Sequence, residues 1–143
     1  MEPTAWLVIP IQASVRSRRS LLTTLATPGG HYSHATVANG LVFISGQLPI
    51  TKDGRKLVDA PFAEQAMQAL ANVEAALVAA GSGIGALVQV RVYVDSIDNW
   101  PAFNAIYAAW AGAARPARAV VPTGPLHFGL KVEVEAVALA SRA

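Results

Sequence analysis

Two stretches of the chain alternate strictly between apolar and polar side chains, and this alternation is what most limits the folds open to it. In residues 87–95, Val88, Val90, Val92 and Val94 alternate with Gln89, Arg91, Tyr93 and Asp95. In residues 130–139, Val132, Val134 and Ala136 alternate with Lys131, Glu133 and Glu135. Successive side chains on a strand point to opposite faces, so each stretch is predicted to be a strand with one apolar and one polar face. A sheet built from such strands needs a covering layer on one side. Residues 61–80 supply it. Phe62, Ala66, Leu70, Val73, Leu77 and Ala80 recur at helical spacing, while Glu64, Gln65, Gln68 and Asn72 make the polar side. Asp59 is the expected cap, Pro61 suits the first turn, and Gly81 suits the C-terminal end. A second helix is predicted over 101–111, with Asp98 as its cap and Phe103, Tyr107 and Trp110 on one face.

Further strands are expected at 17–25, 35–38, 41–45 and 117–121, the last interrupted by Pro122. Asn39-Gly40 between two apolar runs is a strong hairpin signal, because both turn positions need positive φ. The order is strands, then β-α-β-α-β-β. It predicts an α+β fold in which a mixed β-sheet carries two helices on one face. Residues 1–15 read as an N-terminal extension, and 16–143 as a single domain.

Composition narrows the function classes. At 143 residues the chain has the length of one domain. Hydrophobic residues make up 53% and charged residues 14%, against about 25% charged in an ordinary soluble domain. That balance excludes intrinsic disorder. The apolar runs are shorter than the ~20 residues of a membrane span. The apolar excess predicts a homo-oligomer, with the polar sheet face packed on sister subunits through ion pairs such as Arg91 to a glutamate. The absence of cysteine excludes disulfides, thiolate nucleophiles and cysteine metal sites. Met1-Glu2-Pro3-Thr4 lacks a basic leader, so a cytoplasmic location is expected. The net charge of +2 reflects a local cluster, Arg16, Arg18 and Arg19. A cluster of three is read as a solvated edge, and nucleic acid is not an expected partner.

Few residues are left to carry chemistry. His31, His34 and His127 form no metal motif, and no metal is expected. Ser45, in Ile44-Ser45-Gly46-Gln47, is not in a nucleophile elbow. The glycines at 29–30 and 81–85 lack the lysine of a phosphate loop. Arg118 stands among apolar neighbours at the start of a strand, so its charge needs a partner. One reading is a buried ion pair with Glu133 or Glu135. The other is a planar guanidinium that grips a substrate carboxylate through two parallel hydrogen bonds. The residue types leave both open. Glu133 falls on the same strand face as Glu135, and Arg118, on the preceding strand, is expected to share a cleft with it.

Several segments occur in a telling order: Gly30-His31-Tyr32-Ser33-His34-Ala35, Phe43-Ile44-Ser45-Gly46-Gln47-Leu48-Pro49 and the helix from Gln65 to Gly81. Phe103-Asn104-Ala105-Ile106-Tyr107, Pro116-Ala117-Arg118 and Val132-Glu133-Val134-Glu135-Ala136 complete the set. Together they resemble the RidA (YjgF, or L-PSP) family of imine deaminases. The resemblance runs from about residue 21 to 139. It implies a chorismate-mutase-like trimer with sites between subunits. The implied activity is cofactor-free hydrolysis of enamine and imine intermediates of the 2-aminoacrylate type to 2-keto acids and ammonia. Carried over, Arg118 would bind the substrate carboxylate and Glu133 would hold the attacking water. Tyr32 would cover the pocket, and Ser45 and Asn104 would line or support it. Two positions depart from the family pattern. His31 replaces a proline, and Val120 stands where many deaminases have cysteine, leaving only its backbone carbonyl to hold water. His127, in Leu126-His127-Phe128-Gly129, reads first as an exposed loop histidine, the alternative being a polar group near the cleft. The alternatives are a trimer that binds small carboxylates without turnover and, less favoured, a ribonuclease or translation inhibitor.

Overall fold

Asn39 and Gly40 adopt φ of 52° and 73°, the left-handed values that a two-residue hairpin turn requires. They fold β2 (Ala35–Ala38) back on β3 (Leu41–Gln47), with Ala38 opposite Leu41. The computed structural model describes residues 16–17 and 25–141. Within them β1 (Arg16–Ser17) pairs antiparallel with β2. Residues 18–24 of the expected first strand, and the extension 1–15, lie outside the described residues.

Beyond β3 come β6 (Val132–Leu139) and β4 (Leu87–Val94), each antiparallel to its neighbour. The edge strand β5 (Ala117–Pro122) is parallel to β4. The sheet order is β1-β2-β3-β6-β4-β5. A parallel pair needs a crossover, and α2 (Trp100–Ala111) supplies it. Pro122 ends an edge strand, where its missing N–H breaks no ladder. The other helix, α1 (Phe62–Ala79), packs on β3, β6 and α2. The α+β architecture with both helices on one sheet face is therefore as expected. Among the described residues no helix is long and apolar enough to cross a membrane.

The core lies between sheet and helices. Val90, Val92, Val94, Val132 and Val134 meet Ala66, Leu70, Val73, Leu77 and Phe103, all fully buried. Four local expectations need correction. Val88 is exposed, because the β4–β6 register shifts between Leu87 and Gln89 and turns it out. Neither Asp59 nor Asp98 caps a helix: the residues before α1 and α2 are Pro61 and Asn99, with no side-chain cap. Ser96 instead accepts from the Asp98 N–H and opens the 3-10 turn Ile97–Asn99. Gly81, at φ 79°, does end α1, with its N–H on the Val78 carbonyl and that of Ser82 on Leu77.

The fourth correction concerns the polar side of α1. Gln65 and Asn72 are buried, not solvated. Gln65 donates to the Ala60 carbonyl at 3.1 Å and accepts the Lys131 N–H at 2.9 Å. Asn72 donates to the carbonyls of Leu48 at 3.0 Å and Ile50 at 2.9 Å, and Gln68 donates to it at 2.8 Å. These amides satisfy loop backbone groups that would otherwise be buried unpaired.

Leu70 sits at the middle of α1 with 1% exposure. Leu70→Ala is expected to cost about 2–5 kcal/mol of folding stability. Urea unfolding followed by far-UV circular dichroism reads it, and a midpoint equal to that of the parent chain would contradict this packing.

Candidate active site

The residues singled out in the sequence fall into two groups, and the sheet lies between them. On β5, Arg118 is opposite Val90 and Val120 is opposite Val92. Both valines of β4 point into the core, so Arg118 and Val120 share the helix-covered face. Glu133 is opposite Tyr93 and Glu135 is opposite Arg91, which puts them on the open face. Arg118 and Glu133 therefore do not share a cleft within one chain. An ion pair of Arg118 with either glutamate, one of the two readings left open, is absent among the described residues.

Arg118 is held by α2. Its Nη2 donates to Asn104 Oδ1 at 3.0 Å, and its guanidinium lies 4.7 Å from the centre of the Tyr107 ring. Asn104 and Tyr107 are three apart, so one helix face presents both. Ring and amide fix the plane of the guanidinium, and among the described residues most of its five N–H donors are uncommitted. Burial raises the Tyr107 hydroxyl pKa, and the Arg118 charge opposes the rise. The Val120 side chain packs against the core.

On the open side, Tyr32, Ser45 and Glu133 line one cavity of about 740 Å³. Glu133 lies directly against Gly46, where any Cβ would collide with its Oε1 and come within 3.0 Å of its Cδ. Burial raises the Glu133 pKa above the usual carboxylate range; His127 pulls it down and Glu135 pushes it further up. Ser45 Oγ donates to the Ser33 carbonyl, which makes the hydroxyl a tie between two segments of the wall. Tyr32 is 45% exposed and stands edge-on to His34, so it can act as a cover.

Further wall residues were not singled out for the site from the sequence: Gly46, Gln47, His34, Lys56 and Phe128. His34 Nε2 lies 2.6 Å from the Ala26 carbonyl, which can only accept, so that nitrogen carries the proton. Its Nδ1 then accepts from Gln47 Nε2 at 3.1 Å, and Gln47 also donates to the Ser45 carbonyl at 3.1 Å. Both ring nitrogens of His34 are thus occupied by the fold. The available signal was the glycine inside β3, since a strand glycine marks close approach by another group.

Elsewhere on the open face, Arg91 Nη1 lies 3.7 Å from Glu135 Oε1, and Tyr93 donates its hydroxyl to the same carboxylate. The ion pair expected between subunits thus forms within one chain. Phe43, Val121 and Leu139 are exposed on the same sheet face.

The signature of the family described as Endoribonuclease L-PSP matches residues 23–140. Protein HMF1 of Saccharomyces cerevisiae is 37% identical over 75% of this chain and 82% of its own. The human 2-iminobutanoate/2-iminopropanoate deaminase is 34% identical over 85% of this chain and 90% of its own. The crystal structure of the YjgF gene product from E. coli superposes with a TM-score of 0.80 at 29% identity, covering 88% of this chain and 99% of that one. Together with the sheet order, the Ser45-Gly46-Gln47 strand end and the closing Arg118 and Glu133 segments, these matches show that the chain belongs to the RidA (YjgF/L-PSP) family.

Proposed function

We propose that the protein is a hydrolytic deaminase of small 2-imino acids of the 2-aminoacrylate type, releasing a 2-keto acid and ammonia, and that its site forms between copies of the chain. The observation that carries this reading is the division of labour across the sheet. Arg118 offers an oriented guanidinium with uncommitted donors on one face. Glu133 offers a carboxyl of raised pKa in an open cavity on the other. Neither half is sufficient. Because β5 is the sheet edge, its arginine stands at a rim that a neighbour's open face could meet. The exposed Phe43, Val121 and Leu139 on that face supply apolar area for the contact. A homotrimer closes such head-to-tail contacts into a ring. The deaminase name of the human relative supports the choice of reaction.

The chemistry asks little of the protein. A protonated imine carbon is already electrophilic, so the site has to orient the substrate, place a water and manage protons. Arg118 binds the carboxylate in plane through its fork. Glu133 of the neighbouring copy, ionised, holds a water against the imine carbon and takes its proton as the C–O bond forms. Gly46 makes room for the Glu133 carboxyl, and Tyr32 covers the cavity. No cofactor enters the scheme.

The direct test is release of keto acid and ammonia from 2-aminoacrylate generated enzymatically in place. Ligand uptake without product would favour a non-catalytic binder. Arg118→Ala should cost roughly 2–4 kcal/mol of transition-state binding, read from kcat/KM, and Arg118→Lys should rescue poorly because an ammonium is not a planar fork. Mixing inactive Arg118→Ala and Glu133→Gln chains by unfolding and refolding should restore about one quarter of the sites, because random trimers rebuild intact pairs at that rate. No restoration would refute a site shared between copies.

Glu133→Gln should lower kcat roughly 10²–10⁴-fold with little change in KM. The ionised carboxyl is the working form, and burial raises its pKa. Activity of the parent chain should therefore rise with pH along a limb above the usual carboxylate range. Gly46→Ala provides a separate check. It should displace the Glu133 carboxyl and lower kcat while the ligand-bound Arg118 is untouched. Normal kcat in a folded Gly46→Ala variant would remove Glu133 from the reaction.

A further inference from the structure

His127 stands in the same cavity wall as Glu133, and the scheme above gives it no task. The turn that carries it is held under strain. Phe128 adopts φ 62° and ψ 11°, left-handed values that cost a bulky side chain energy, and Gly129 follows at φ 73°. The N–H groups of Gly129 and Leu130 bond back to the carbonyls of Leu126 at 3.2 Å and His127 at 3.1 Å. Two neighbours contact the Phe128 ring: Lys56 Nζ lies 4.4 Å from its centre, and the His127 ring centre lies at 5.9 Å. No hydrogen bond ties down the His127 imidazole among the described residues, in contrast with His34. Its charge reaches Glu133. An imidazole with no hydrogen-bond partner among the described residues, lining the same cavity as a carboxyl, can work with it as an acid–base pair.

We propose that His127 is the second acid–base residue of this site: it protonates the departing amine that Glu133 and its water have created. The assignment rests on the deaminase reading. The steps balance. Water attacks the protonated imine carbon, the C=N π pair moves to nitrogen, and Glu133 takes the water proton, giving a neutral carbinolamine. The His127 imidazolium then protonates the amine nitrogen. The C–N bond breaks with its pair on nitrogen, the hydroxyl proton returns to His127, and a keto acid forms. Ammonia takes the proton held by Glu133 and leaves as ammonium.

The charged and titratable groups facing His127 are Glu133, with Glu135 beyond it on β6, Lys56 on the loop after β3, and Tyr32 and His34 on the segment leading into β2. Glu133 must be ionised and His127 protonated at the same time, so kcat should follow a bell in pH. The alkaline limb belongs to His127.

The test measures kcat and KM against pH for the parent chain, His127→Gln and His127→Ala, on 2-aminoacrylate generated in place. His127→Gln should lower kcat roughly 10²-fold with KM unchanged and should lose the alkaline limb. Added imidazole should raise kcat of His127→Ala in proportion to the imidazolium present and leave the parent chain unaffected. A structural role would produce neither rescue nor a lost limb. Equal kcat and equal profiles in the parent and His127→Gln overturn the assignment alone, as does a loss of kcat without rescue. A parent chain that releases no keto acid overturns the deaminase reading, and this assignment with it. The side chain is exposed, so folding should survive both changes, and far-UV circular dichroism checks that it does.

Discussion

The strict alternation along β6 is the constraint on which the rest of the molecule depends. Val132, Val134 and Ala136 enter the helix-covered core, and Glu133 and Glu135 are thereby committed to the other face. A shift of one residue in register would exchange the two sets and bury both carboxyls. β6 is also the central strand, with β3 on one side and β4 on the other. Its register therefore places Glu133 beside Gly46 of β3 and, at the same time, Glu135 beside Arg91 of β4. Burial of the core valines thereby sets the face on which the Glu133 carboxyl stands.

The architecture was legible in the sequence because its strands and helices follow their periods closely. Asn39-Gly40, Gly81 and the valines at 90, 92 and 94 behave as local chemistry dictates. What escaped was decided by tertiary contacts. Val88 obeys the same period as Val90 but lies at a register shift that pattern alone does not reveal. Gln65 and Asn72 look solvated on a helical projection, yet the loops around them bring carbonyls and an N–H that only an amide can satisfy. The site was half legible. Tyr32, Ser45 and Glu133 do line one cavity, and Arg118 and Asn104 do meet. Within one chain Arg118 and Glu133 do not meet, because β5 and β6 follow each other in sequence but are not neighbours in the sheet. β4 lies between their strands, and the register sends the two side chains to opposite faces.

The buried amides connect helix packing to the cavity. Asn72 holds the carbonyls of Leu48 and Ile50, and Leu48, Ile50 and Asn72 all form part of the cavity wall. Gln65 holds the N–H of Lys131, the residue before β6 begins. From a single face, α1 thus ties down both the loop opposite Glu133 and the start of the strand that carries it. The His34–Gln47 pair does the same for the segment bearing Tyr32. It links the Ala26 and Ser45 carbonyls through one imidazole and one amide. Each of these side chains holds backbone or its neighbour by hydrogen bonds, which fixes the wall where the proposed mechanism requires set distances.

Keeping Arg118 and Glu133 apart within one chain has an electrostatic logic. Opposite charges 4 Å apart at an effective dielectric of 20 attract by about 4 kcal/mol. Had both stood on one face, they would have paired. The guanidinium would then have spent its fork on a protein carboxylate, and the carboxyl would have been held too acidic to trade protons. The folded chain satisfies Arg118 with a neutral amide and an aromatic ring instead. It raises the Glu133 pKa by burial rather than lowering it with a cation. Each group is thereby stable on its own without being neutralised. On the proposed reading the two meet only where copies of the chain meet, and there a substrate carboxylate takes up the donors that Arg118 kept free.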